Sequence, residues 1–138
     1  MNADFHRVVL GIFEDVIADY KFEILLPAWW LIELVNDKCI LRLIYDTGFT
    51  EAQLVYPQEK AERQAIKRPD GFPSGYPLYP LYSVWQYLYP GDRENFRYNG
   101  NDMEGQARAI KRLILERMTN ILKGDFSWLA GYKQAQKK

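Results

Sequence analysis

Residues 29–56 read WWLIELVNDKCILRLIYDTGFTEAQLVY, and this stretch decides the fold. The dipeptides Asn36-Asp37 and Thr47-Gly48 both suit tight turns, because Asn, Asp and Gly tolerate left-handed backbone angles. Turns at these places align apolar residues on one side of the pleat: Leu34 with Cys39, Ile32 with Leu41, Trp30 with Leu43, Leu43 with Ala52, Leu41 with Leu54 and Cys39 with Tyr56. The sequence therefore predicts an antiparallel meander of three strands, or four if residues 22–26 add one before it.

The opposite face of this meander mixes apolar and charged side chains: Trp29, Leu31, Glu33, Ile40, Arg42, Ile44, Glu51, Gln53 and Val55. Glu33 and Arg42 are diagonal neighbours in this register and are placed to form a cross-strand ion pair. Two interpretations stay open. Either the C-terminal half covers this outer face, or the face is an exposed binding surface, since contiguous exposed apolar area usually marks an interaction site.

Helical periodicity indicates the remaining elements. Apolar residues recur at helical spacing over residues 4–20, 78–89 and 103–123, and Gly124 suits the end of the last helix. The result is an α+β fold in one domain, residues 1–138, with an N-terminal helix, the meander, a short aromatic helix and a long C-terminal helix packed on the sheet. We expect residues 57–80 to form an irregular or mobile connection and residues 133–138 a frayed tail.

Composition excludes several classes of protein. A chain of 138 residues that is 48% hydrophobic can bury a core without disulfides or a structural metal. One cysteine and one histidine are too few for a disulfide framework or the common zinc sites, so we expect no metal and no cofactor. There is no apolar run of membrane-spanning length and no basic start followed by an apolar stretch, so we expect a cytoplasmic protein without membrane contact.

Charge is balanced overall but uneven along the chain. Eighteen basic residues match eighteen acidic ones, which argues against nucleic acid as a partner. Up to Tyr56 there are nine acidic and four basic residues, whereas from Pro57 onward there are nine acidic and fourteen basic ones. Either the two halves attract each other within one fold, or the C-terminal half presents a basic face to an acidic partner.

The sequence contains no specific catalytic motif: GxSxG, Walker, GxGxxG, HExxH and CxxC patterns are all missing. Cys39 falls on the apolar inner face of the meander, which favours a packed thiol over a nucleophile. We therefore expect a protein that is not an enzyme.

Aromatic and arginine side chains give the candidate partner-binding residues, because Tyr, Trp and Arg most often anchor protein interfaces. The middle of the chain supplies Tyr76, Tyr79, Tyr87, Arg93 and Arg97. The outer face of the sheet supplies Trp29 and Arg42. We expect these side chains to be exposed and to bind a protein partner.

Two local stretches, LIYDTG at residues 43–48 and LKGDFSWL at residues 122–129, and the order of the elements give a family resemblance. The chain resembles the small bacterial immunity-type proteins that neutralise polymorphic toxins, many of which are classed as domains of unknown function. The resemblance implies a non-catalytic protein that binds a cognate toxin and occludes its active site. It carries over no functional residue.

Other functions stay open on the sequence. A small-molecule-binding domain or enzyme would have a pocket between sheet and helices, lined by Trp30, Leu43 and Trp85. Single-stranded nucleic-acid binding would use the aromatic and basic residues of the middle segment. The mixed outer face would also suit a homodimer.

Overall fold

Five antiparallel strands in chain order form one sheet in the computed structural model, which describes residues 3–46, 48–58, 77–92 and 102–137. The strands are β1 (Glu23–Ala28), β2 (Leu31–Val35), β3 (Ile40–Asp46), β4 (Phe49–Val55) and β5 (Tyr79–Pro80). The helices are α1 (Ala3–Ile12), α2 (Glu14–Asp19), α3 (Leu81–Leu88), α4 (Met103–Arg117), α5 (Thr119–Leu122) and α6 (Leu129–Gln136), with a short 3-10 turn at Pro90–Asp92. This confirms the predicted α+β fold, in which the long helix packs on the sheet.

The β3–β4 turn has the predicted position. Asp46 pairs with Phe49 and Leu43 with Ala52, as expected for a turn at Thr47-Gly48. Gly48 has a φ of +88°, in the left-handed region that glycine adopts without steric cost.

The β2–β3 turn lies one residue further along than predicted. Asp37 and Lys38 occupy its centre, because the Asn36 side chain accepts hydrogen bonds from the backbone N–H groups of Lys38 and Cys39, both at 2.8 Å. Asn36 therefore flanks the turn, and its own N–H donates to the Cys39 carbonyl at 3.2 Å. Asn36 is thus the residue before the two central residues of the turn, and its side chain stabilises the turn by hydrogen bonds.

This shift moves every β2–β3 pair by two residues. Leu34 lies opposite Leu41 and Ile32 opposite Leu43, so the predicted partners were wrong. The predicted inner face is nevertheless correct, because a shift of two residues keeps every side chain on its side of the sheet.

Two predicted helices are each divided at a buried apolar residue. The helix expected over residues 4–20 is α1 and α2, which meet at Phe13, and the helix expected over 103–123 is α4 and α5, which meet at Met118. Gly124, with a φ of +102°, follows α5 as predicted.

The connection and the tail are partly described. Of residues 57–80, residues 59–76 lie outside the described part, and Tyr79–Pro80 form β5, which pairs with Gln53 and Leu54 of β4. The tail from residue 133 onward, which was expected to fray, continues helix α6 (Leu129–Gln136) as far as Gln136.

The core lies between the inner face of the sheet and the helices. Its buried members include Ile32, Leu34, Leu41, Leu43 and Leu54 from the sheet and Phe5, Val9, Trp85, Ile110 and Ile114 from the helices. Thr50 lies beyond the end of the β4–β5 pairing, and its N–H donates to the Oε1 of buried Gln106 at 2.6 Å. Helix α4 thus satisfies a backbone donor of β4 as well as covering it.

The centre of the outer face is also buried, at Leu31, Glu33, Arg42 and Val55. An exposed binding surface is therefore wrong for this part of the sheet. Glu33 and Arg42 are direct cross-strand partners because of the shifted turn. Their ion pair, 3.1 Å long, has side chains that are 0% and 4% exposed. The predicted cross-strand ion pair therefore forms, and it is buried, so the weak stabilisation typical of exposed pairs does not apply to it.

We expect Glu33→Met or Arg42→Met to lower the free energy of unfolding by about 3–5 kcal/mol, because either change removes the 3.1 Å ion pair from a charge that stays buried. The double variant should cost less than either single change, since it removes both charges. Urea unfolding at neutral pH measures both effects, with Glu51→Gln on the neighbouring strand as an exposed control. A double variant that costs the sum of the two single changes would contradict the pairing.

Candidate functional site

Tyr79 and Tyr87, two of the predicted binding residues, meet at the C-terminal helix. Their rings lie 5.8 Å and 5.6 Å from the ring of Tyr132, in edge-on geometry. Tyr79 is only 6% exposed, so its expected exposure is wrong. The cause is the C-terminal segment, in which Tyr132 of α6 and Trp128, the residue before α6, pack edge-on against Tyr79.

Tyr87 is partly exposed, but it also holds α6. Its hydroxyl lies over Gly131, so closely that a side chain there would collide with it. The Tyr132 hydroxyl donates to Ser83 Oγ at 2.7 Å across the same contact. These tyrosines therefore join α3, β5 and α6. The other predicted residues of the middle segment, Tyr76, Arg93 and Arg97, lie outside the described residues.

The two predicted sheet residues have opposite environments. Arg42 is buried in its ion pair with Glu33, so its expected exposure on the outer face is wrong. Trp29 is 47% exposed, which leaves its indole accessible.

The basic side chains of α4 are matched by acidic ones. The ion pairs are Arg108–Glu104, Lys111–Asp15, Arg112–Glu116 and Arg117–Asp92. The 2.8 Å hydrogen bond from Lys111 lowers the pKa of Asp15 and joins the acidic N-terminal half to the basic C-terminal half. Of the two interpretations of the uneven charge, the Lys111–Asp15 pair supports attraction within one fold, whereas the other three pairs lie within the C-terminal half.

The Trp85 side chain is buried and is held in place by a hydrogen bond to a carboxylate. Its Nε1–H donates at 3.2 Å to buried Asp92, which also accepts from Arg117 at 2.8 Å and 3.3 Å. The hydrogen bond with Asp92 raises the pKa of Arg117. Leu43 and Trp85 are buried in the core whereas Trp30 is 39% exposed, and among the described residues the groove that Trp30 lines includes neither of the other two.

A cluster of exposed aromatic residues lies where the β1–β2 and β3–β4 connections come together at one end of the sheet. Trp30 is 39% and Phe49 58% exposed, and Trp30 directly follows Trp29 in the β1–β2 connection. Phe49 pairs with Asp46, and the Trp30 carbonyl accepts from the Tyr45 N–H at 2.9 Å, which places the two connections side by side. We call this surface, Trp29, Trp30, Tyr45, Asp46 and Phe49, the aromatic end.

The aromatic end contains an open groove of about 470 Å³. Trp29, Trp30, Ile44, Tyr45 and Asp46 line it. The Trp29 and Tyr45 rings lie 6.2 Å apart at an interplanar angle of 57°. The groove thus combines three aromatic rings with one carboxylate, and none of the described residues that line it is basic.

Helix α1 supports the aromatic end from the core side. The His6 Nε2–H donates to the Ala28 carbonyl at 2.7 Å, next to the two tryptophans. Phe5, fully buried, has its ring 5.6 Å from that of Tyr45. The connections are therefore held in place by the helix, which limits the entropy that a ligand must remove on binding.

Only part of this surface is indicated by the sequence. Trp29 was a candidate, but Trp30 was placed opposite Leu43 on the inner face, and it lies opposite Tyr45 instead. Phe49 was missed. Two signals were available: adjacent tryptophans at a strand start cannot both point into one core, and a phenylalanine directly after a glycine turn has few neighbours.

Neither a reactive thiol nor a metal-binding cluster is found within the described ranges. Cys39 is fully buried, and burial raises the pKa of its thiol to about 12, so it is not a thiolate at neutral pH. Residues 3–46, 48–58, 77–92 and 102–137 contain no cluster of three His, Cys, Asp or Glu side chains that could hold a metal ion. In the same ranges, no helix has the length and apolar character needed to cross a membrane.

Comparison with protein-family models, with curated proteins and with solved structures finds no match to this chain.

We expect the buried Cys39 thiol to make the protein sensitive to alkali. Its pKa rises from 9.0 to about 12 on folding, so above pH 9 the unfolded thiol ionises while the folded thiol stays neutral. This contribution to stability is complete below pH 9 and is lost as the pH rises towards 12, by at most about 1.4 kcal/mol per pH unit. Denaturant unfolding from neutral to alkaline pH measures it. Cys39→Ala should show a shallower decline, and equal slopes for the two proteins would contradict the prediction.

Substitutions should separate the aromatic end from the tyrosines that hold α6. Phe49→Ala should change the free energy of unfolding by less than about 0.5 kcal/mol, because its side chain is mostly exposed. Tyr79→Ala should cost about 3–5 kcal/mol, because it empties a buried aromatic site. Thermal and urea unfolding give both values. A large loss with Phe49→Ala would show that the aromatic end belongs to the core.

Proposed function

We propose that this chain is a non-catalytic protein-binding module whose partner docks on the aromatic end. One observation carries the proposal: Trp29, Trp30 and Phe49 are all substantially exposed at one end of a sheet whose inner face is packed. Exposing such residues together is unusual for a protein surface without a partner. Rigid aromatic side chains are also the residues most often found as interface anchors.

We take the occupant to be a different protein and not a second copy of the chain, because the resemblance to immunity-type proteins implies binding to a different protein.

The resemblance to immunity-type proteins gives this proposal a specific form. In that form the partner is a cognate toxin in the cytoplasm, and the aromatic end occludes its active site. A rigid aromatic projection supported by α1 suits such a role, because it fills a cleft at little cost in side-chain entropy.

Photo-crosslinking tests the proposal. A benzophenone amino acid replaces Phe49, and native lysate is irradiated and searched by mass spectrometry for covalent adducts. We expect one protein to be captured, and the capture to be lost when Trp29→Ala is added. Leu115→Ala is the matched control, because Leu115 is a similarly exposed apolar residue on α4, away from the aromatic end. With the purified partner, Trp29→Ala should weaken binding by about 30-fold, which corresponds to about 2 kcal/mol.

Three outcomes would contradict the proposal: the same adducts when the crosslinker is at position 115, a capture that persists with Trp29→Ala, or a capture of the chain by itself. If the captured partner is an enzyme that stays fully active in the complex, occlusion is refuted and protein binding stands.

A further inference from the structure

We infer that the protein partner adds an extended segment of its own chain to the edge of the sheet at β1. This inference rests on the proposed function and extends its docking surface from the aromatic end along one strand. Strand β1 is the first strand of the sheet, and among the described residues it pairs only with β2. A sheet edge of this kind presents backbone groups that another extended chain can pair with.

The hydrogen bonds of the sheet determine which backbone groups lie on this edge. The Asn36 N–H donates to the Cys39 carbonyl at the turn between β2 and β3. Bonded and non-bonded pairs alternate along an antiparallel ladder, so Leu34 bonds to β3 and Val35 to β1. Ile24 lies opposite Leu34, and its N–H and C=O therefore point away from the sheet. Within the described part of the chain, neither group has a hydrogen-bond partner.

The available part of the edge ends at Pro27. Proline has no N–H to donate, and the β1–β2 register shifts between Leu25 and Ala28. The Ala28 carbonyl accepts from the His6 Nε2–H at 2.7 Å. An added strand therefore pairs with residues 23–26, which span about 13 Å.

Exposed aliphatic side chains accompany these backbone groups. Ile24 is 40% and Leu26 48% exposed, and the strand has no charged side chain between Glu23 and Pro27. Charged residues are a common protection of edge strands against pairing with other chains. Ile24 lies opposite fully buried Leu34, so it continues the apolar inner face beyond the core. A strand added beside β1 would cover this side chain with one of its own.

The edge leads directly into the aromatic end, because Trp29 and Trp30 follow β1 in the chain. Nine large hydrophobic side chains are exposed among the described residues, and four of them belong to residues 24–30. A contiguous apolar surface of this kind usually marks an interaction site. A partner segment that lies along β1 reaches the two indoles at its end, and one contact then covers both parts of the surface.

The opposite edge of the sheet offers less backbone to a partner. Strand β5 has two residues, and its Pro80 has no N–H. Where β4 continues past β5, the Thr50 N–H donates to the buried Gln106 side chain at 2.6 Å. The fold thus satisfies a backbone donor at that edge, whereas the N–H of Ile24 is left to an outside acceptor.

A different protein fits this surface better than a second copy of the chain. An antiparallel two-fold pairing of β1 with itself places the aromatic ends of the two copies at opposite ends of the joined strands. A different protein is not bound by this symmetry, so it can cover the edge and the aromatic end together.

Two proline variants test the direction of the backbone groups without the partner. Ile24→Pro removes an N–H that points out of the sheet, whereas Leu25→Pro removes one that bonds to β2. We expect Leu25→Pro to lower the melting temperature by about 10 °C more than Ile24→Pro does. Equal losses would overturn the inference, because the Ile24 N–H would then belong to the β1–β2 ladder.

Amide hydrogen exchange tests strand addition in the complex with the protein captured at position 49. In the free chain the Ile24 amide should exchange fast and the Leu25 amide slowly. Saturation with the captured protein should slow the Ile24 amide by at least about 100-fold and change the Leu25 amide much less. Ile24→Pro should weaken binding about tenfold relative to Ile24→Val, which keeps the N–H. A slow Ile24 amide in the free chain, an unchanged one in the complex, or equal affinities of the two variants would each overturn the inference.

These failures are distinguishable from failure of the proposed function. If the captured protein binds Ile24→Pro and Ile24→Val equally well but binds Trp29→Ala weakly, docking on the aromatic end stands and strand addition is refuted. If nothing is captured at position 49, the crosslinker is moved to position 26. A different protein captured there that also slows the Ile24 amide supports strand addition and refutes docking on the aromatic end. Capture of the chain by itself, or no capture at either position, refutes both.

Discussion

Strand β3 is hydrogen-bonded on both edges and is buried on both faces from Ile40 to Leu43. Its register cannot change by one residue without moving Leu41 and Leu43 out of the core and Arg42 away from Glu33. This double constraint fixes β2 and β4 on either side. It therefore fixes where the β1–β2 and β3–β4 connections end, and with them the position of every ring in the aromatic end.

Helices α1 and α4 complete this arrangement through specific polar contacts as well as apolar packing. His6 holds the backbone of β1 beside the tryptophans, and Gln106 accepts from the Thr50 N–H next to Phe49. Each helix thus has a hydrogen bond to a strand end that borders the aromatic end. Apolar packing alone does not specify direction, whereas a buried hydrogen bond has one geometry. The surface is consequently built on the most constrained part of the fold.

Local sequence patterns predicted the elements and the inner face of the sheet, because both depend on spacing along the chain. Leu41 and Leu43 are correctly predicted on the inner face, even though the predicted β2–β3 turn is one residue too early in the chain. The helix divisions at Phe13 and Met118 could not be predicted, since each interrupts an apolar pattern with another apolar residue. The position of the β2–β3 turn depends on two hydrogen bonds to the Asn36 side chain. The spacing of apolar residues contains no information about such bonds.

The candidate site was harder to predict, because exposure is a property of the whole fold. Tyr79 and Arg42 have the residue types of interface anchors, yet α6 buries the first and an ion pair on the outer face holds the second. Only Trp29 among the described candidates is both exposed and part of the groove. Residue type indicates what a side chain can bind, and its neighbours from distant parts of the chain decide whether a partner can reach it.

Trp29, Trp30 and Phe49 lie at strand ends and do not belong to the buried core, so the residues that recognise a partner and those that specify the fold are different sets. Selection acting on the first set leaves the second untouched. Descendants of this chain can therefore exchange one partner for another through changes at three or four positions. The same scaffold then supports a lineage of proteins with diverging specificities and one shared architecture.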